Sequence, residues 1–359
     1  MSRYALLLQM TAVTFLAVPA LAAESAERSA LAGKIDERVS GADFTGAVLV
    51  ARGATIVLDK GYGSANREWN VPNSPDTRFR LASLTKQFTA AAILLLEEQG
   101  KIRLQDPVSR YVPDTPAAWN AITVLNLLTH TSGIPDLTTF PDFVEMARRP
   151  TTPENLVASF RDRPLDFPAG TDFRYSNSGY ILLGYILERV SAQPYAQFVT
   201  KNIFVPLGMK HSGYDSNADV VPMRAQGYAR RDGRVIIADY LDMTVPFSAG
   251  GLYSTTGDLL RWYHGLFDGR LLSASSLERM TTPFRGNYAF GIAADVDTNG
   301  NKVLWHGGAI DGFSVFSAYV PADESAVVVL ANMEGAPARA MAADILRLVN
   351  HAVPAMSAN

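Results

Sequence analysis

Ser83 and Lys86 are the residues of this chain whose types and spacing most directly suggest chemistry. They belong to the segment Ser83-Leu84-Thr85-Lys86, where an extended stretch passes into an apolar helix predicted from Leu84 to Gln99. Residues three apart share one helix face, so the Lys86 amine can reach the Ser83 hydroxyl. An amine that accepts the hydroxyl proton makes serine a nucleophile, and a helix N-terminus stabilises the negative charge that develops. Ser83 is therefore the candidate nucleophile and Lys86 its candidate base.

Two later segments carry groups that can complete such a site. Tyr175-Ser176-Asn177 precedes a helix predicted to start near Gly179, and His306-Gly307-Gly308 ends a predicted strand. Each segment also has a purely structural interpretation. A serine or asparagine can cap a helix, and a glycine pair can turn a hairpin. The order of the three segments, together with their surroundings, decides between the interpretations.

The chain resembles the serine β-lactamase and penicillin-recognising superfamily, in the branch of class C β-lactamases, exported DD-peptidases and family VIII carboxylesterases. The resemblance covers nearly the whole chain after the N-terminal segment. Its motifs occur in the family's order: Phe79-Arg80-Leu81-Ala82-Ser83-Leu84-Thr85-Lys86, Leu104-Gln105-Asp106-Pro107-Val108, Leu127-Leu128-Thr129-His130-Thr131-Ser132-Gly133-Ile134, Phe173-Arg174-Tyr175-Ser176-Asn177, Pro206-Leu207-Gly208-Met209, Ala249-Gly250-Gly251-Leu252-Tyr253-Ser254 and His306-Gly307-Gly308.

The resemblance implies a role for each candidate catalytic residue. Ser83 would attack a carbonyl and become acylated, while Lys86, with a pKa lowered by desolvation, would help to remove its proton. Tyr175 would pass the proton to the leaving group and later help to activate water. Asn177 would orient Lys86 and the substrate amide.

The resemblance also implies how substrate is held. The backbone N–H groups of Ser83 and Ala309 would form an oxyanion hole, and Gly307 and Gly308 would let an extended substrate lie beside their strand. His306 is also a candidate catalytic residue, and it departs from the class C pattern, which has lysine at this position. An unperturbed histidine is mostly neutral at pH 7 and anchors the carboxylate of a β-lactam less well than lysine does. This favours a peptidase or esterase over a dedicated β-lactamase.

The predicted elements indicate an α/β fold of the α+β type, with one antiparallel sheet built from both chain ends, flanked by helices, and a large inserted helical lobe. This is a β-lactamase/transpeptidase-like fold. The predicted parts are a sheet lobe of residues 23–84 and 286–359 and a helical lobe of residues 85–285, with the site in the crevice between them. Predicted strands are 47–52, 55–59, 288–296, 302–306, 313–320 and 326–332, and predicted helices are 84–99, 124–130, 142–148, 154–161, 179–191, 195–203, 258–267 and 337–350.

Composition excludes several classes of function. A net charge of −3 and a pI near 6.0 argue against nucleic acid as a partner. The absence of cysteine excludes disulfides and thiolate metal sites, and the five histidines have no ligand-spaced partners. His130 is predicted to hold a turn at the end of a helix. We expect no metal and no cofactor.

The N-terminus has the pattern of an export signal. Arg3 precedes a mostly apolar run from Tyr4 to Val18, and Pro19-Ala20-Leu21-Ala22-Ala23 resembles a signal peptidase site. Residues 1–22 are therefore predicted to be a signal peptide, with an uncleaved anchor as the alternative. Export and the lack of cysteine together suggest a bacterial periplasm or the medium, with no stable membrane anchor after cleavage.

The function expected from the sequence is an exported serine hydrolase that forms an acyl-enzyme on amide or ester bonds. Its substrate would be a small molecule or short peptide, such as a D-amino-acid peptide, an ester or a β-lactam. DD-peptidase-like, D-aminopeptidase-like or esterase action is favoured, and a class C-like β-lactamase is the alternative. A non-catalytic binder or sensor of cell-wall peptides is the alternative of another class.

Overall fold

The computed structural model of this protein describes residues 17–353, with side chains described from residue 24 onward. The first sixteen residues of the predicted signal peptide lie outside this range, so the signal peptide stays a prediction. Within the described range, each helix is too short or too polar to cross a bilayer.

One six-stranded antiparallel sheet organises the molecule. Strands from residues 46–62 pair in it with strands from residues 293–331, and the spatial order is Ala293–Val296, Lys302–Ile310, Phe313–Val320, Ser325–Ala331, Gly46–Arg52 and Thr55–Tyr62. The predicted fold class, a sheet built from both chain ends and flanked by helices, is confirmed. The strands are β1 (Gly46–Arg52), β2 (Thr55–Tyr62), β3 (Ser64–Asn66), β4 (Val71–Pro72), β5 (Phe79–Arg80), β6 (Gly213–Tyr214), β7 (Tyr228–Arg231), β8 (Arg234–Ile237), β9 (Leu252–Ser254), β10 (Ala293–Val296), β11 (Lys302–Ile310), β12 (Phe313–Val320) and β13 (Ser325–Ala331).

Helices cover both faces of this sheet. The helices are α1 (Ala17–Ser40), α2 (Thr85–Glu98), α3 (Val124–Leu128), α4 (Phe143–Met146), α5 (Pro153–Arg161), α6 (Asn177–Ser191), α7 (Tyr195–Val199), α8 (Val205–Leu207), α9 (Phe247–Gly250), α10 (Thr256–Phe267), α11 (Ala274–Thr281) and α12 (Ala338–Leu348). Val48 and Val50 of β1 pack with α1 and α12, whereas Ala47 and Leu49 face the core that contains α2 and α10. Because both faces of β1 are buried, its sequence is almost continuously apolar instead of alternating between apolar and polar residues.

The region between the chain ends is mainly helical. Helices α2 and α6 contact each other and form its buried centre. Strand β5 directly precedes the turn that carries Ser83. It belongs to a three-stranded sheet in the order β5-β9-β6. Several predicted helices are shorter in the structure. Residues 195–203 form α7 followed by a π-helical turn over Thr200–Phe204, residues 142–148 form only α4, and the helices predicted to end at residues 130 and 350 end at Leu128 and Leu348.

Three predicted strands differ from the observed limits by three residues or more, and one of them, predicted over residues 55–59, continues to Tyr62 as β2. The strand predicted over residues 288–296 is regular only from Ala293, because Gly291 has a φ of 69° and approaches α2 so closely that an added Cβ would lie 2.4 Å from the Lys86 carbonyl oxygen. The strand predicted over residues 302–306 continues to Ile310 as β11. Gly307 and Gly308 therefore belong to the strand, and Asp311 with Gly312 makes the hairpin turn.

Candidate active site

The candidate nucleophile and base lie at the junction between β5 and α2. Ser83 is in a single 3-10 turn, Ala82–Leu84, and Lys86 is in the first turn of α2. The Lys86 Nζ and the Ser83 Oγ are 3.0 Å apart, a hydrogen-bond distance. Ser83 also lines two cavities, so its hydroxyl group is accessible to small molecules.

The environment of Lys86 favours an uncharged amine. The side chain is fully buried, and its Nζ lies 2.8 Å from the Asn177 Oδ1 and 2.9 Å from the Ala249 carbonyl oxygen. Burial lowers the pKa of Lys86 to about 7, although the negative charge of Asp136 acts in the opposite direction. A neutral amine has two N–H donors and one lone pair. The two acceptors use the donors, which leaves the lone pair for the Ser83 hydroxyl.

Asn177 is held in the orientation that this arrangement needs. It is the first residue of α6, whose N-cap is Ser176. The Asn177 Nδ2 donates to both carboxylate oxygens of Asp136, at 3.0 and 3.3 Å, so its Oδ1 is turned toward Lys86. Sequence reasoning did not identify Asp136, because a single aspartate in a loop carries no recognisable spacing.

Tyr175 lies beside the Lys86 amine. The Lys86 Nζ is 4.9 Å from the centre of the Tyr175 ring. The Tyr175 hydroxyl is buried and makes no hydrogen bond of standard length to any described residue. Burial raises the pKa of Tyr175 above its usual value, and the neighbouring Ser83 lowers it in part. The phenol therefore keeps its proton at neutral pH and can donate it to a bound group.

His130 supports Tyr175, a role that the sequence did not reveal. As predicted, it sits at a turn after a helix, with a φ of 56°. Its ring lies 4.3 Å from the Tyr175 ring between centroids, and its Nδ1 accepts a hydrogen bond of 3.1 Å from the Ser176 N–H. Burial, followed by the charge of Lys86, holds the pKa of His130 well below its usual value. His130 is thus neutral and positions the Tyr175-Ser176-Asn177 segment.

His306 is also neutral, which agrees with the expectation from sequence. Its Nδ1 lies 2.5 Å from the Gly307 carbonyl oxygen and carries the proton, so its Nε2 accepts from the Tyr288 hydroxyl at 3.1 Å. Burial, followed by the charge of Lys86, lowers the pKa of His306 to about 3. Its ring is 6.3 Å from that of Tyr175 between centroids, so it contributes to the wall of the site but no positive charge.

The edge of β11 faces the turn that carries Ser83. In the β11–β12 hairpin, Ile310 pairs with Phe313 across a two-residue turn, and Ala309 is opposite Ser314. Hydrogen-bonded and non-hydrogen-bonded pairs alternate along an antiparallel ladder, and the pair that closes the turn is the hydrogen-bonded one. The Ala309 N–H therefore points away from β12, toward the open edge of the sheet.

The two glycines of β11 have different surroundings. A Cβ added to Gly308 would lie 2.4 Å from the Leu81 carbonyl oxygen and 3.1 Å from the Ala82 Cβ. A Cβ added to Gly307 would make only an ordinary contact, 3.4 Å from the Phe316 ring. At Gly308 the missing side chain lets the strand approach the Ser83 turn, and the role of both glycines in holding substrate stays a prediction.

We expect Gly308→Ala to slow the modification of Ser83 by a fluorophosphonate by about 100-fold, because a displacement of about 1 Å at a reacting group costs that much. The added methyl group meets a backbone oxygen, so the strand or the Ser83 turn must move. Gly307→Ala is the matched control, with a rate close to that of the unmodified protein. Equal rates for the two variants, measured by intact mass over time, would contradict this explanation.

Three residues around the site have a strained backbone conformation. Ala82, His130 and Phe247 have φ values of 47°, 56° and 40°, in the left-handed region that residues with a side chain rarely adopt. Ala82 directly precedes Ser83, His130 packs on Tyr175, and Phe247 begins the helical turn that supplies the Ala249 carbonyl to Lys86. Such conformations persist where the surrounding structure enforces them, which is common at functional sites.

Two cavities meet at Ser83 and Ala309. The first, which we call the acyl cavity, has a volume of about 250 Å³. The second, which we call the leaving-group cavity, has a volume of about 410 Å³ and contains Tyr175 and His306. The acyl cavity is lined mainly by apolar residues: Ala82, Leu137, Phe143, Ile181, Leu241, Val245, Pro246, Ala249 and Ile310.

The leaving-group cavity contains a cation that the sequence did not predict for the site. Arg339, in the first turn of α12, lines this cavity with its guanidinium group 4.7 Å from the centre of the Trp305 ring. The leaving-group cavity therefore has a positively charged residue in its lining, which His306 is not. Only the folding of the terminal helix over the sheet brings Arg339 there.

Comparison with known proteins identifies relatives in both sequence and structure. A putative penicillin-binding protein, PbpX, of Bacillus subtilis is 32% identical over 84% of this chain and 74% of its own length. Protein flp of Staphylococcus aureus is 29% identical over 80% of this chain, which spans 59% of the length of that relative. A penicillin-binding protein from Bacillus halodurans has 28% identity and a TM-score of 0.77, covering 89% of this chain and 98% of that one. A D-stereospecific amidohydrolase from Streptomyces sp. has 28% identity and a TM-score of 0.74, with coverages of 88% and 97%.

The family relationship extends across almost the whole described structure. The model of the Beta-lactamase family matches residues 31–351, which include every candidate site residue from Ser83 to Ala309. The six-stranded sheet and the helices around Ser83 lie within this match. The chain therefore belongs to the beta-lactamase family of serine hydrolases.

Proposed function

We propose that this serine hydrolase acts through an acyl-enzyme on Ser83, with Lys86 as base and Tyr175 as proton shuttle. The observation that carries the proposal is the buried Lys86 amine, 3.0 Å from the Ser83 Oγ and with a pKa lowered to about 7. A base with a pKa near the working pH accepts a proton most effectively. A buried lysine that only served packing would not need its amine aimed at an accessible hydroxyl group.

The first half of the reaction forms the acyl-enzyme. The Ser83 Oγ bonds to the substrate carbonyl carbon while its proton passes to the Lys86 Nζ. The backbone N–H groups of Ser83 and Ala309 stabilise the carbonyl oxygen as it becomes negative. The bond to the leaving group then breaks, and the Tyr175 hydroxyl donates a proton to the departing nitrogen or oxygen. Tyr175 is reprotonated from the Lys86 ammonium group.

The second half of the reaction hydrolyses the ester on Ser83. Water attacks the acyl carbon and gives a proton to the same Tyr175 and Lys86 pair, and the acid product leaves as the Ser83 hydroxyl is restored. Asn177 keeps the Lys86 amine in position throughout, through its hydrogen bond of 2.8 Å.

We favour amide and ester substrates over β-lactam antibiotics because of the residue at position 306 and the similarity to an amidohydrolase; Arg339 in the leaving-group cavity would serve the carboxylate of either kind of substrate. The position of His306 carries no charge at neutral pH, because its pKa is lowered to about 3. A lysine would provide a permanent charge there for a β-lactam carboxylate. The similarity to a D-stereospecific amidohydrolase supports small D-amino-acid amides or peptides as substrates. We propose that the enzyme is exported and meets such compounds in the periplasm or the medium.

Labelling and turnover together test this function. A fluorophosphonate is expected to add one adduct to Ser83, detected by intact-mass and peptide mass spectrometry, and Ser83→Ala is the control. We expect faster turnover of a D-alanine p-nitroanilide or a short p-nitrophenyl ester than of nitrocefin. No adduct on Ser83 in folded protein would favour the non-catalytic binder, and faster hydrolysis of nitrocefin would favour a β-lactamase.

The rate of acylation is expected to rise with pH through about 7. Below that pH, Lys86 is an ammonium group and cannot accept the Ser83 proton; above it, the amine is free, because burial lowers the pKa of Lys86 to about 7. His306, with a pKa of about 3, adds no step between pH 5 and 9. A stopped-flow profile of acylation by a p-nitrophenyl ester measures this, and a flat profile from pH 5.5 to 9 would contradict the role of Lys86.

A further inference from the structure

We infer that Asp311 selects substrates whose acyl group carries a positive charge, above all the free α-ammonium group of an amino-acid amide or short peptide. This inference rests on the proposed function, since it concerns what the acyl cavity holds beside Ser83. Asp311 lies in the hairpin turn two residues beyond Ala309, and its side chain lines the acyl cavity.

Asp311 differs in charge from the other residues that line the acyl cavity. Among the residues that line this cavity, it is the only one with a charged side chain. The other polar side chains are those of Ser83, Asn177 and Thr138. A ligand that fills the cavity therefore meets apolar walls and one carboxylate, which suits a small apolar acyl group with a cation attached.

The charges around Asp311 leave its carboxylate available for a ligand. Arg80 pairs with Asp215 at 2.7 Å, and Arg231 pairs with Glu334 at 3.0 Å. Within the part of the chain that the structure describes, Asp311 makes no ion pair or side-chain hydrogen bond. Burial raises the pKa of Asp311, the charges of Glu334 and Asp239 raise it further, and the charges of Arg80 and Arg231 lower it in part. A bound cation would relieve the repulsion among these carboxylates.

The charge on the other side of Ser83 has the opposite sign. Arg339 lines the leaving-group cavity, which also contains Tyr175, the proposed proton donor to the leaving group. The acyl part of a peptide bond carries the amino terminus of the substrate, and the leaving part carries the carboxyl terminus. Asp311 and Arg339 thus match the polarity of a short peptide with free ends, bound with its amino end in the acyl cavity.

A protection experiment tests the role of Asp311. Ser83 is labelled with a fluorophosphonate in the presence of D-phenylalanine amide or of N-acetyl-D-phenylalanine amide, and the concentration that halves the labelling rate is measured for each. We expect the free amine to protect better. Asp311→Asn should weaken protection by the free amine by about 10- to 100-fold, the range for a hydrogen bond to a charged group.

Two further variants make the result specific. Asp239→Asn removes a neighbouring exposed charge that does not line the cavity, and it should change protection by less than about threefold. Asp311→Glu keeps the charge and should retain the preference for the free amine. The rate of labelling without competitor shows that each variant is folded.

The possible failures are distinguishable. If Ser83 of the unmodified protein is not labelled at all, the proposed function fails and this inference fails with it. If Ser83 is labelled but both amides protect equally, or Asp311→Asn leaves their ratio unchanged, only the inference about Asp311 is wrong.

Discussion

Replacing Lys86 by alanine is expected to slow the acylation of Ser83 by about 10²- to 10⁴-fold, the usual contribution of a positioned general base. The Nζ is within 3.0 Å of each of three oxygen atoms, those of Ser83, Asn177 and Ala249. Without the amine, the Ser83 hydroxyl has no base within hydrogen-bond distance among the described residues. Acylation by a p-nitrophenyl ester, followed by intact mass, measures the effect.

A second variant separates the loss of the Lys86 amine from the loss of side-chain packing. Lys86→Met fills nearly the same volume without an amine, so it should keep the fold while showing the same loss of acylation. Lys101→Ala, at an exposed position just after α2, is the matched control and should acylate normally. An acylation rate within threefold of the unmodified protein for Lys86→Met would show that another group removes the proton.

Replacing Asp215 by alanine is expected to reduce the free energy of unfolding by about 3–5 kcal/mol, the usual cost of breaking a buried ion pair. The side chain of Asp215 is 0% exposed and pairs with Arg80 at 2.7 Å and Arg224 at 2.6 Å. The arginine side chains are only 13% and 26% exposed, so removing the carboxylate leaves two cations with little access to water. Urea unfolding followed by circular dichroism measures the loss.

An exposed ion pair provides the control for this prediction. Glu145 and Arg149 lie 2.5 Å apart, but each side chain is 72% exposed, so Glu145→Ala should cost less than about 1 kcal/mol. If Asp215→Ala costs no more than this control, the buried carboxylate is not a main support of the fold. Arg80 is in β5, three residues before Ser83, so we also expect Asp215→Ala to slow the labelling of Ser83.

Local patterns were sufficient to predict the elements that carry the nucleophile and the base. The contact of Ser83 with Lys86 follows from a spacing of three residues, which places both on one helix face. The first hairpin follows from two apolar runs separated by Gly53 and Ala54, as observed in β1 and β2. Such features depend on neighbours in the chain, so the chain alone specifies them.

Contacts between distant segments were less predictable. Asn177 and Lys86 are 91 residues apart, and only the resemblance to a family suggested that they meet. Asp136 and Tyr288 form hydrogen bonds with Asn177 and His306, but neither residue belongs to a recognisable sequence motif. The irregular chain before β10 depends on how closely Gly291 approaches α2, which is a property of packing.

The sequence by itself determined the family of the fold, the pair Ser83 and Lys86, and the absence of a lysine at position 306. Only the tertiary structure decided the protonation state of the Lys86 amine, because its lowered pKa results from burial among segments far apart in the chain. It also decided which charged residues line the two cavities. Asp311 in a turn and Arg339 on the last helix reach the two cavities beside Ser83 only after the sheet and its covering helices have assembled.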